Sequence, residues 1–110
     1  MKIHFLKTYP EPWHAVQLGL KTAEFRLNDR DYQVGDYLVL QLVDVHEDGT
    51  VIKLNRNIFR QVTHILANSF GMPRGYAMLS LHPVEMGSKE FDKLVDALLE
   101  QREKEKQVAV

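Results

Sequence analysis

Three ionic side chains form the densest polar cluster in the sequence. Lys21, Glu24 and Arg26 lie within six residues, directly after Gly19-Leu20. On a strand, Glu24 and Arg26 share one face with their Cα atoms about 6.5–7 Å apart. Carboxylates accept amino protons from nucleobase edges, guanidinium groups bind phosphate or carbonyl oxygens, and a desolvated lysine acts as a base. The cluster predicts a small polar pocket; the alternative is a solvated strand face with an ordinary ion pair.

The charges are distributed unevenly, although the net charge is only −1 and gives no argument for nucleic acid. No acidic residue occurs between Asp48 and Glu85. The cations of that segment are Lys53, Arg56, Arg60 and Arg74. One interpretation is that Arg56, Arg60 and Arg74 extend a binding track for a polyanion. The other is that the acids are absent there by chance and folding scatters the cations.

Composition excludes several classes of protein and site. The 110 residues, 45% hydrophobic and 26% charged, predict a single folded domain over 1–110. The absence of cysteine excludes disulfides and thiolate chemistry and fits a cytoplasmic location. We expect no membrane partner and no signal peptide, because apolar runs are short and charge interrupts the N-terminus. The five histidines lack short ligand spacing, so we expect no metal. The sequence has no P-loop and no G-x-G-x-x-G motif, so we expect no cofactor.

Residue periodicity predicts the elements that would position the cluster. A strand over Ile3–Lys7 precedes a short helix from about Pro12 to Leu18, which Gly19 ends. Trp13 and Val16 are expected to face the core, with Leu20 packed beside them. The later predicted strands are Thr22–Leu27, Tyr37–Val45, Val51–Leu54, Ile58–Leu66 and Tyr76–His82.

A second helix follows the last strand. Ser88 is the predicted N-cap, and the helix continues to about Glu103 and frays through 104–110. Its apolar stripe consists of Phe91, Leu94, Val95 and Leu98. These elements predict an α+β fold: a small, mostly antiparallel β-barrel over about 2–82, with a helix after the first strand and a C-terminal helix over about 88–105.

The polar cluster also carries a family resemblance. Residues 19–26, Gly-Leu-Lys-Thr-Ala-Glu-Phe-Arg, followed by Val34-Gly35-Asp36, resemble the signature of ASCH domains in the PUA-like barrel superfamily. Residues 24–36 and 75–81 are similar to a small bacterial and phage branch without an assigned function. The resemblance covers about residues 2–82. It implies a PUA-like barrel whose cleft beside the first helix binds RNA.

The resemblance also implies roles for individual residues. Lys21, Glu24 and Arg26 would line the cleft. Gly19 would keep the helix-to-strand turn tight, and Gly35-Asp36 would shape the entry to the next strand. The primary expectation is therefore an RNA- or nucleotide-binding module, with RNA or a nucleotide as the partner.

Two other functions stay open. Some ASCH relatives are amidohydrolases that deacetylate N4-acetylcytidine with a lysine, a threonine three residues later and a distant glutamate. Lys21 matches the lysine, but Glu24 replaces the threonine, Thr22 is the nearest hydroxyl, and no match for the distant glutamate is evident. Lys21 and Glu24 would then be the catalytic pair that activates water. A third possibility is an interaction protein that binds a partner through the terminal helix, with Leu99 beside Leu98.

Overall fold

Five strands and two helices make up the computed structural model, which describes residues 1–69 and 71–108. In chain order they are β1 (Ile3–Thr8), α1 (Pro10–Gln17), β2 (Ala23–Leu27), β3 (Tyr37–Val45), β4 (Val51–Ala67), β5 (Tyr76–Pro83) and α2 (Lys89–Val108). The predicted small α+β class is confirmed. Fraying is predicted for residues 104–110, and residues 109–110 of this segment lie outside the described residues.

The strands form one sheet in the order β1-β3-β4-β5-β2. β1 runs parallel to β3, and the other neighbouring strands are antiparallel. β1 and β2 are the two edge strands, and within the described part of the chain no backbone ladder joins them. The sheet is therefore mostly antiparallel and open at this point.

β4 is one bent strand of 17 residues where periodicity predicts two. Asn55 has a φ of 59°, and the β3–β4 register shifts opposite it, between Gln41 and Val43. Asparagine tolerates the left-handed region better than most residues, so it accommodates a bulge that bends the strand without ending it. The prediction of separate strands over Val51–Leu54 and Ile58–Leu66 is wrong for this reason.

A helix packs on each face of the sheet. On one face, α1 buries Trp13 and Val16 against β3, β4 and β5. On the other face, α2 buries Leu94 and Leu98 against Tyr37 and other side chains of β1, β3 and β4. Strand β3 is thus buried on both sides, which explains its nearly continuous apolar sequence.

The end of α1 is set by Gly19, as predicted. Gly19 has a φ of +76°, a conformation that costs glycine little, and the amides of Leu20 and Lys21 donate to the carbonyl of Ala15. This turn directs Leu20 outward, where it is 80% exposed. The prediction that Leu20 packs beside Trp13 is therefore wrong.

Helix α2 begins as predicted but is longer. Ser88 caps it, with its hydroxyl accepting a hydrogen bond from the amide of Phe91 at 3.1 Å. The helix continues to Val108 instead of ending near Glu103. Its last turns are attached to the bend of β4, because Arg102 donates to the side chain of Asn55 and Glu105 pairs with Lys53.

Candidate functional site

Strand β2 has its polar face turned inward, the reverse of an ordinary edge strand. Glu24 is only 4% exposed and lies opposite buried Leu79 of β5. Phe25 and Leu27, on the other face, are 45% and 49% exposed. This arrangement is not a solvated strand face with an ordinary ion pair, because the carboxylate is buried. Burying a carboxylate costs free energy unless partners compensate it.

Two cations compensate Glu24, one on each carboxylate oxygen. Lys21 Nζ lies 2.5 Å from Oε1, and Arg26 Nε lies 3.0 Å from Oε2. The Gly19 turn places Lys21 at the start of the strand, and the two-residue strand period places Arg26 on the same face as Glu24. The Lys21 and Arg26 side chains are 32% and 27% exposed, so both cations still reach solvent.

Arginine side chains bridge the two edge strands where no ladder exists. Arg26 Nη2 lies 3.3 Å from the carbonyl oxygen of Lys7 and 3.4 Å from Oγ1 of Thr8. Arg30, in the loop after β2, donates to the carbonyl of Phe5 at 3.1 Å. Two backbone carbonyls of β1, an edge strand, thus accept hydrogen bonds from guanidinium groups. The two edges of the open sheet therefore lie next to each other.

A cavity of about 400 Å³ lies between these edges and the start of α1. Its lining consists of Lys7, Thr8, Tyr9, Pro12, Lys21, Glu24, Phe25 and Arg26. The predicted cluster of Lys21, Glu24 and Arg26 does therefore gather around one solvent-open hollow. Three cations face a single carboxylate in this lining, which makes the cavity attractive to an anion.

Sequence reasoning missed the contribution of β1 to this cavity. Lys7 and Thr8 are far from the cluster in sequence and come to it through the placement of the edge strands. Thr8 supplies a buried hydroxyl that lines the cavity, whereas the nearby Thr22 is exposed and is not among the lining residues. No local spacing signals this pairing, because it depends on the order of strands in the sheet.

The three arginines of the acid-free segment lie elsewhere. The guanidinium of Arg56 sits 4.9 Å from the centre of the Trp13 ring. Arg60 donates to the carbonyl of Val16 at 3.3 Å, and burial lowers the pKa of its guanidinium. Arg74 is exposed in the loop between β4 and β5. None of the three is among the described residues that line the cavity, so a continuous track stays a prediction.

Gly35-Asp36 lies directly before β3 and is hydrogen-bonded to residues of the β1 segment. Asp36 is buried and accepts hydrogen bonds from the amides of Lys2 and Gln33, at 3.1 and 3.0 Å. The imidazole Nε2 of His4 lies 2.8 Å from Oδ2 of Asp36. Burial alone would raise the pKa of Asp36, but the His4 and backbone hydrogen bonds outweigh it and lower that pKa. The motif holds the start of β3 against β1.

Replacing Asp36 by asparagine is expected to lower the free energy of unfolding at neutral pH by about 1–3 kcal/mol, because an amide satisfies these donors poorly. Since its pKa is lowered on folding, the native carboxylate stabilises the fold above the unfolded value near 4 and loses this contribution as pH falls through the folded value. Urea unfolding at several pH values measures both effects. Asp96→Asn, on an exposed face of α2, is the control. Equal acid sensitivity of Asp36→Asn and the wild type would contradict this assignment.

Two further structural findings concern metals and membranes. Among residues 1–69 and 71–108, no three His, Asp or Glu side chains come together as a group that could hold a metal ion. Over the same residues, neither helix combines the length and the apolar character needed to cross a bilayer.

Comparison with known proteins gives the family of the chain. None of the curated proteins matches it. DUF3850, described as a domain of unknown function, matches residues 3–81, which is more than half of the 110-residue chain and includes the whole cavity lining. The chain therefore belongs to the DUF3850 family.

Proposed function

We propose that this chain is a PUA-like domain of the ASCH type that binds RNA or a nucleotide in the cavity between β1, α1 and β2. The observation that carries the proposal is the buried carboxylate of Glu24, held between Lys21 and Arg26 on the wall of an open cavity. A carboxylate buried in this way fixes two cations in place. Fixed cations bind an anion with less loss of side-chain entropy than free surface lysines.

Each residue has a distinct role in this proposal. Lys7, Lys21 and Arg26 meet the phosphate, and the planar guanidinium of Arg26 also reaches carbonyl oxygens. The carboxylate of Glu24 has about four lone-pair positions, of which Lys21 and Arg26 use two. The remaining positions accept amino protons from a nucleobase edge.

The proposal also assigns a specific fold, the PUA-like barrel. Its support is the proximity of the two edge strands, which Arg26 connects through the carbonyl of Lys7 and the hydroxyl of Thr8. In this interpretation the cavity occupies the point at which the barrel lacks a backbone ladder. A ligand phosphate would then compete with Lys7 and Thr8 for the guanidinium of Arg26.

Lys7→Ala is the sharpest single test, because Lys7 lines the cavity, whereas the ion pairs of Glu24 are with Lys21 and Arg26. Binding of a short fluorescein-labelled single-stranded RNA is measured by anisotropy over a range of salt concentrations. We expect the wild-type affinity to fall as the salt concentration rises. Lys7→Ala should reduce the slope of log affinity against log salt concentration by about 0.7, the value for one lost phosphate contact on a single strand. Lys93→Ala, on exposed α2, is the charge-matched control and should not change it.

Two results would contradict the proposal. One is the absence of RNA or nucleotide binding at low salt. The other is an equal loss of affinity in Lys7→Ala and Lys93→Ala, which would indicate diffuse charge attraction instead of a cavity site.

One observation favours the amidohydrolase alternative. Lys21 and Glu24 are in direct contact, and the hydroxyl of Thr8 lies on the same cavity wall. Such a group of side chains is suited to polarising a water molecule that hydrolyses N4-acetylcytidine to cytidine and acetate. Incubation followed by chromatography tests it: turnover that Lys21→Ala abolishes and Lys93→Ala preserves supports the enzyme, and no cytidine formation excludes this substrate.

A further inference from the structure

The outer face of the sheet is only partly covered. Helix α2 packs over β1, β3 and part of β4, where it meets Tyr37, Val39 and Phe59. The β2 and β5 side of the same face carries a row of exposed apolar residues. Phe25 pairs with Met78, and Met78 pairs with Leu66, so the row crosses three adjacent strands.

Two aromatic rings stand at one end of this row. The rings of Phe25 and Tyr76 are stacked, with centroids 5.1 Å apart and planes 16° apart. Phe25 remains 45% exposed in spite of this contact. We refer to Phe25, Tyr76 and Met78 as the aromatic platform. A stacked aromatic pair with a half-exposed ring offers a surface on which an unpaired nucleobase can stack.

The platform adjoins the cavity, because Phe25 belongs to both. Phe25 is among the residues that line the cavity, and it follows Glu24 on the edge strand. Because β2 is an edge strand, a ligand held by Lys21 and Arg26 on its inner face needs only to pass around this edge to reach the platform on its outer face.

The charge of the surrounding strands favours an anionic partner, such as a nucleic acid, over a cationic one. Tyr76, Met78 and Leu66 belong to the segment between Asp48 and Glu85, which has no acidic residue. On these strands His64 pairs with Ser80, next to the platform. Arg74 lies two residues before Tyr76 in the chain. A phosphodiester backbone crossing this surface meets no carboxylate from β4 or β5.

We propose that the domain binds two consecutive nucleotides of a single strand, one in the cavity and the next with its base stacked on the aromatic platform. This inference rests on the proposed function, since it assumes that the cavity holds the first nucleotide. It extends that function from a mononucleotide site to recognition of a single-stranded segment. Stacking on rings tolerates any base, so the second position contributes affinity with little sequence preference.

The test compares two ligands and two variants by isothermal titration calorimetry. The ligands are adenosine 5′-monophosphate and the 5′-phosphorylated dinucleotide of adenosine. In the wild type, the dinucleotide should bind more tightly. Tyr76→Leu removes a ring of the platform without changing charge, so it should weaken dinucleotide binding about tenfold and leave the mononucleotide unchanged.

Lys7→Ala gives a different pattern and separates the cavity claim from the platform claim. It should weaken both ligands, because Lys7 lines the cavity and is not part of the platform. Circular dichroism checks that Tyr76→Leu is folded, and Met78→Ala, at a platform residue that is not among the cavity lining, serves as a second platform variant. Equal dinucleotide affinity in wild type and Tyr76→Leu overturns the platform proposal. It is also overturned if the wild type is found to self-associate and Tyr76→Leu abolishes that self-association while RNA binding stays intact. Failure of both ligands to bind the wild type overturns the proposed function and this inference with it.

Discussion

Replacing Lys21 and Arg26 together by methionine is expected to lower the free energy of unfolding by about 3–5 kcal/mol, the cost of leaving a buried charge without its partners. Glu24 is 4% exposed, and each of its oxygens faces one of these cations. Methionine preserves much of the apolar stem of both residues, so the change isolates the charge. Urea unfolding followed by Trp13 fluorescence measures the loss.

A third substitution identifies the cause of this effect. Adding Glu24→Gln to the double variant removes the unpaired charge and should recover much of the lost stability, whereas Glu24→Gln alone should destabilise the wild type. This reversal of sign is the expected signature of a buried ion cluster. A loss below about 1 kcal/mol in the double variant, the size of an exposed ion pair, would contradict the buried cluster.

Trp13→Ala is expected to destabilise the protein by about 3–5 kcal/mol, the range for truncating a large aromatic core residue. Trp13 is 2% exposed, packs against the inner face of the sheet, and donates from Nε1 to the carbonyl of Leu40 at 2.9 Å. It is the main anchor of α1, whose first turn forms one wall of the cavity. Thermal unfolding followed by circular dichroism measures the loss, since the variant has no tryptophan.

Trp13→Phe separates the contribution of the Trp13–Leu40 hydrogen bond to stability from that of side-chain volume. Phenylalanine keeps most of the apolar contact and loses the donor to Leu40, so we expect an intermediate loss of about 1–3 kcal/mol. If Trp13→Ala and Trp13→Phe were equally stable, packing of the indole would not anchor α1. A role for Trp13 as an exposed base-stacking residue is also incompatible with its burial.

Local chemistry made much of the fold predictable. Gly19 ends α1 because only glycine adopts its φ of +76° at low cost, and Ser88 caps α2 through its hydroxyl. The apolar run of β3 is that of a strand buried on both faces. In each case the signal lies within a few residues, where side-chain chemistry determines the backbone conformation.

The unpredicted features depend on contacts between distant segments. Nothing near Thr8 or Lys7 indicates that β1 would lie beside β2, because strand order is decided by packing of the whole sheet. The continuity of β4 depends on a bulge at Asn55 that β3 and α2 stabilise from outside. Leu20 is apolar yet exposed, because the turn at Gly19 overrides its preference for the core.

The candidate site was predictable in its residues but not in its geometry. Spacing places Glu24 and Arg26 on one face of a strand, and the structure places both there with Lys21. Spacing does not show whether that face meets solvent or the interior. The structure shows that the charged face is turned to the interior, because Glu24 is buried while Phe25 and Leu27 on the opposite face are exposed. This is the reverse of the usual pattern for an edge strand.

A titration of the ¹⁵N-labelled protein with a short 5′-phosphorylated single-stranded RNA, followed by amide chemical shifts, tests the binding cavity most directly. We expect saturable shifts that concentrate at the cavity lining, above all at Thr8, Lys21 and Arg26, and that leave the exposed face of α2 unchanged. Shifts that centre on α2 or on the Arg56 and Arg60 surface, or no shifts at low salt, would contradict it.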